Sequence, residues 1–65
     1  MNTLTPWFTD PPVRHGVYQR DYYGVLEYSY WDGHYWRFGC KTSKEAARMQ
    51  VFSRFQDLPW RGLLI

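Results

Sequence analysis

Tyr28-Ser29-Tyr30-Trp31-Asp32-Gly33-His34-Tyr35-Trp36-Arg37-Phe38 decides the fold. An Asp-Gly pair sits between two runs of aromatic and β-prone residues, the strongest short-range signal for a hairpin. Two registers compete. A two-residue loop pairs Trp31 with His34 and sets Glu27 beside Phe38 and Tyr28 beside Arg37. A three-residue loop, with Gly33 left-handed, pairs Tyr30 with His34. It then sets Tyr28 opposite Trp36, Leu26 opposite Phe38 and Glu27 opposite Arg37. The second register gives one apolar face and a charge pair on the other. Cross-strand pairs are worth roughly 0.2–1 kcal/mol each, and a one-residue slip would expose the whole apolar set. It is therefore the preferred expectation, with a bulge at Gly33.

Working outward, Val17 to Asp21 reads as a first strand and Val25 to Tyr30 as a second, joined by Tyr22-Tyr23-Gly24. The third runs from about His34 to Gly39. A three-residue loop at Gly24 would set Tyr18 opposite Tyr28 and Arg20 beside Leu26. Arg20 must then lay its stem on the apolar face. Thr42-Ser43-Lys44-Glu45 is a capping box, with a hydroxyl at the cap and a carboxylate three residues on. It predicts a helix over 43–55, with Ala47, Val51 and Phe55 on its apolar stripe. Pro59 stops it.

Pro6, Pro11 and Pro12 make 1–15 an extended arm that Trp7 and Phe8 anchor. The tail over 59–65 is extended and apolar, and docks near Trp7 and Phe8 or adds an edge strand. The expected class is α+β: one small domain, a three-stranded antiparallel meander over 17–39 packed against one C-terminal helix, with extended N- and C-terminal arms.

The chain has 65 residues, so its core is thin. Its 4 Trp, 6 Tyr and 4 Phe exceed what such a core hides, and exposed aromatic surface marks binding. Net charge is +2, with 8 Lys and Arg spread along the chain against 6 Asp and Glu. A dedicated duplex binder shows a basic stripe instead. The single Cys40 cannot form an internal disulfide, which suits a reducing cytoplasm. No basic-then-apolar leader opens the chain, and the longest apolar run is Leu63-Leu64-Ile65. Neither secretion by signal peptide nor a membrane span is expected.

Catalytic and metal chemistry have little to work with. His15, His34 and Cys40 follow no metal-ligand spacing, and a nucleophile would need a histidine held by a carboxylate in a cleft. The expectation is no enzyme, no metal and no cofactor. Base stacking could use Tyr22, Tyr23, Ser29, Trp31, Tyr35 and Arg37, but Glu27 and Asp21 share that face. Sugar binding uses similar flat rings and is disfavoured for an intracellular domain. Tyr, Trp and Arg are also the residues enriched at protein-interface hot spots. In the preferred register Tyr28, Tyr30, Trp36 and Phe38 turn to the helix. Tyr23, Trp31, Tyr35 and Arg37 remain free as the candidate binding residues. The expected partner is a protein, with a bacterial host factor among the candidates and single-stranded nucleic acid as the alternative. Homodimerisation would relieve the thin core.

Trp7-Phe8, Pro12-Val13-Arg14-His15-Gly16-Val17-Tyr18, Tyr28-Ser29-Tyr30-Trp31-Asp32-Gly33, Trp36 and Pro59-Trp60-Arg61-Gly62-Leu63 together resemble a family of short, uncharacterised phage and prophage proteins. Its members carry a Tyr-Ser-x-Trp-Asp-Gly-x-x-Trp hairpin and close on a Trp-Arg-Gly-Leu tail. The resemblance covers nearly the whole chain. It departs at Arg14-His15-Gly16, where the family often has Arg-Pro-Gly. It implies the cytoplasm of a bacterial host and an accessory role, and supplies no catalytic or binding residue.

Overall fold

The computed structural model describes residues 3–64. Strands β1 (Thr3–Leu4), β2 (Gly16–Tyr22) and β3 (Val25–Trp31) are followed by helix α1 (Ser43–Arg48) and strands β4 (Trp60–Arg61) and β5 (Leu63–Leu64). A three-stranded antiparallel sheet has the order β3-β2-β4, and β1 pairs with β5 in a two-stranded sheet.

The first hairpin is tighter than expected. Tyr22 pairs with Val25, Arg20 with Glu27 and Tyr18 with Ser29. Only Tyr23 and Gly24 lie in the loop, at φ 54° and 94°. Positive φ at both central positions is the type I′ geometry, which matches strand twist. Asp21 Oδ1 accepts from Gly24 N–H at 2.6 Å and supports the turn. The three-residue loop, with Tyr18 opposite Tyr28, does not form.

The Asp32-Gly33 loop is wider than either expected register. Trp31 bridges to Trp36, and Tyr28 bridges to Cys40 rather than to Trp36. Asp32 Oδ1 accepts from His34 N–H (2.8 Å) and Tyr35 N–H (2.7 Å), so its side chain, not a tight turn, closes the loop. Gly33 takes the positive φ, 100°. One residue is gained between the two bridges, a bulge that leaves 36–40 beside β3 as an irregular partner. The third strand of the sheet is therefore β4 from the tail, not 34–39.

The capping box forms: Thr42 Oγ1 accepts from Glu45 N–H at 3.2 Å. The helix nevertheless ends at Arg48, short of the predicted Phe55, with Met49 already extended at φ −67°, ψ 134°. Strand pairing wins the segment that follows. Phe38 N–H donates to Val51 C=O (2.7 Å), and Ser53 N–H donates to Trp36 C=O (2.9 Å). Val51 and Phe52 suit a strand better than a helix.

Both faces of β2–β3 are covered. Strand alternation sets Tyr18, Arg20, Tyr22, Ser29 and Trp31 on one side and Val17, Gln19, Tyr28 and Tyr30 on the other. On the first side Trp36 is 2% exposed, with its ring centroid 5.2 Å from Trp31, 6.0 Å from Tyr18 and 6.5 Å from Trp60. Trp36 thus turns away from Tyr28 and Tyr30 instead of joining them. On the second side Ser43 of α1 borders a hollow with Val17, Gln19 and Tyr28.

Arg20 lies in the middle of the core, 0% exposed. It donates to Phe55 C=O at 2.8 Å and Leu58 C=O at 3.4 Å. Its guanidinium sits 4.3 Å from the Trp36 ring centroid. Burial pulls its pKa down, opposed by Tyr22 and Asp57. The group ties the 55–58 segment across the sheet. From there the chain reaches β4, which pairs with Gln19 and Arg20. The N-terminal arm lies along the tail: Phe8 and Trp60 exchange backbone bonds at 2.8 and 2.9 Å, and their rings stand 5.2 Å apart.

Candidate functional site

The four residues expected to be free divide into two kinds. Trp31 is in the core, 7% exposed, because its wider loop turns the ring onto Trp36. Arg37 is held in place. It donates to Met49 C=O at 2.9 Å and pairs with Asp32 at 3.4 Å. Its guanidinium lies between the rings of Tyr30 and Phe52, 5.5 and 5.4 Å from their centroids. Tyr23 and Tyr35 are on the surface, 78% and 57% exposed.

Tyr23 and Tyr35 stand at the two ends of an exposed aromatic strip that wraps the 51–53 edge, with Phe52 on one face and Phe38 on the other. Tyr35 stacks with Phe52 at 5.7 Å, and Tyr23 meets Phe55 edge-on at 5.8 Å. Between them Phe38 and Phe55 share a shallow hollow of about 140 Å³ with Glu27 and Arg54. Phe38, Val51, Phe52 and Phe55 are all exposed. The early end of the helix obscured this strip in the sequence. A helix through Phe55 would have turned Val51 and Phe55 inward. The alternation Val51-Phe52-Ser53, with Ser53 buried, was the available signal for a strand.

The strip suits a flat partner better than a small molecule, whose sites measure roughly 300–1,000 Å³. A larger open hollow, about 660 Å³, lies on another side, where Val13, Arg14, Tyr18 and Trp60 form its wall. Among the described residues no carboxylate, histidine or cysteine lines it. Among the described residues no three of His, Cys, Asp and Glu converge. Cys40 is buried, and desolvation, with Glu45 and Glu27 nearby, pushes its thiol pKa up. That disfavours the thiolate a nucleophile needs. Asp32 is held below its ordinary value by the backbone N–H groups of Tyr35 and His34, with Arg37 adding to them.

No protein-family model matches the chain, and no curated protein or solved structure matches it either. The strip's role therefore rests on its own chemistry. Aromatic side chains offer large contact area at low entropy cost, and here they are already held by one another. Among the described residues no helix is long and apolar enough to cross a membrane.

Proposed function

We propose that this is a small non-enzymatic accessory protein of the phage or prophage type. It acts in the cytoplasm of a bacterial host by binding another protein through the strip from Tyr35 to Tyr23. One observation carries the reading. Tyr35 and Phe52 stand exposed on one face of the 51–53 edge and Phe38, Phe55 and Tyr23 on the other, in a chain too small to leave such area idle. Buried rings elsewhere already supply the core, so these are surplus to folding.

Stacking of nucleic-acid bases is the second reading, favoured by Arg54 beside Phe38 and Phe55. Glu27 in the same hollow opposes it. Affinity capture from bacterial lysate separates the two. The wild type should retain protein after nuclease treatment, and Tyr35→Ser/Phe52→Ser should lose it while melting at a similar temperature. Retention of nucleic acid alone would sink the protein-binding reading.

A further inference from the structure

The strip contains a main-chain edge. Arg37 and Phe52 face each other as an antiparallel pair whose bonds are made by their neighbours, Ser53 to Trp36 and Phe38 to Val51. In such a pair each residue's own N–H and C=O point away from the other. Arg37 N–H accordingly goes to Tyr30 C=O at 2.8 Å. Phe52 N–H and C=O point the opposite way, out of the sheet. Among the described residues no group bonds either of them.

An incoming strand at this edge would meet apolar side chains on both faces. Phe52 and Tyr35 lie on one, Val51 and Phe38 on the other, all exposed. Proteins commonly blunt such edges with a central charge, a proline or a bulge. Here the exposed centre is apolar, its one cation, Arg37, is paired with Asp32 beside Phe52, and exposed Arg48 and Arg54 precede and follow it in the chain. Among the described residues the one ion pair is Arg37–Asp32, so Arg48 and Arg54 make none, and Glu27 borders the same hollow as Arg54.

We infer that this edge takes an extended segment of another protein by strand addition, and that the segment is apolar at its centre with carboxylates on both sides. The inference rests on the protein-binding reading and adds the mode and the partner's chemistry. Main-chain bonds at Phe52 supply affinity, and the flanking charges supply selectivity. A second copy pairing edge to edge would bring its own Arg48 and Arg54 against these. A nucleic-acid strand would leave Phe52 N–H and C=O without strand-like partners.

An acetylated, amidated Asp-Glu-Val-Ile-Val-Glu-Asp peptide, titrated into the isotope-labelled full chain, tests this by backbone amide NMR. The Phe52 amide proton should move downfield and become protected from exchange. Affinity should fall about tenfold when the central amides of the peptide are N-methylated, since each lost bond is worth on that order. Replacing its acids with lysine should cost at least as much. These changes are made in the peptide, so the protein's folding is untouched. No shift at millimolar peptide overturns the inference. Shifts at Tyr35 and Phe38 without Phe52, or equal binding of the N-methylated peptide, overturn strand addition and leave protein binding standing. Equal binding of the lysine peptide overturns the charge selection. Perturbation of the strip by oligo-dT and not by peptide overturns both readings. Concentration-dependent shifts without peptide assign the edge to a second copy and overturn the inference.

Discussion

Tyr23 holds a left-handed backbone, φ 54°, with its ring 78% exposed. A bulky residue there costs roughly 1 kcal/mol against an Asn-Gly turn. Folding alone does not call for tyrosine at that position. Tyr23→Asn should leave stability unchanged or slightly higher in urea denaturation, while weakening partner capture. A loss above about 1 kcal/mol would instead make the ring a structural prop for Phe55. Asp32 gives a second test at this scale. Its pKa is lowered in the folded chain, so it adds stability above its unfolded value of about 3.9, and that stability is lost as pH falls through the folded value. Asn can still accept from His34 and Tyr35 but cannot titrate. Asp32→Asn should therefore flatten the acid limb of a denaturation-midpoint profile with only a small loss at neutral pH. An unchanged acid limb would show that other carboxylates set it.

At the scale of elements, the 36–40 segment owes its place to two small residues. The Tyr22 ring reaches across Ser29, its hydroxyl 2.9 Å from Ser29 Oγ, to lie against Gly39. A Cβ at Gly39 would stand 2.9 Å from the Tyr22 ring. Gly39→Ala should cost about 1–3 kcal/mol by calorimetry or urea, because the ring, held through its hydroxyl by Ser29 and Arg20, would have to shift. A neutral substitution would mean the segment floats. The hairpin over 16–31 was legible from its β-prone runs on either side of Tyr22-Tyr23-Gly24. Its registers were not. At the first turn the chain accepts a strained Tyr23 in exchange for pairing Tyr22 with Val25. At the second, the Asp32 carboxylate organises a longer loop than Asp-Gly usually makes. The helix start was legible in Thr42 and Glu45. Its end was not, because the pull of 51–53 toward Trp36 and Phe38 is a tertiary contact that local periodicity does not carry.

In the whole molecule, Arg20 links regions far apart in sequence. From the sequence its stem is expected on an apolar face beside Leu26; the structure pairs it with Glu27 and buries its head against Trp36. It holds the carbonyls of Phe55 and Leu58 while lying over Trp36. Arg20→Met fills similar space but leaves those carbonyls unpaired. It should cost about 2–4 kcal/mol in urea denaturation, most of what so small a domain has. Arg20→Lys should not rescue it, since one ammonium cannot span both carbonyls as a fork does. A loss below about 0.5 kcal/mol would place the 55–58 crossing under other control. That crossing leaves Phe55 exposed and brings half-buried Trp60 back against Tyr18 and Trp36, so burying Arg20 and presenting Phe55 are linked. The candidate site was half legible. Tyr23 and Tyr35 are on it, Arg37 packs against Phe52, Trp31 turns to the core instead, and Phe38, Phe52 and Phe55 joined it only through the shortened helix.

If the strip is the face by which the protein meets a protein partner, its resonances respond when that partner binds. Backbone and aromatic resonances of the full chain, followed as a captured partner is added, test it most directly. Perturbations should be confined to 35–38, 51–55 and Tyr23. Perturbations centred instead on Trp7, Val13 and Trp60, with the strip unmoved, would contradict it.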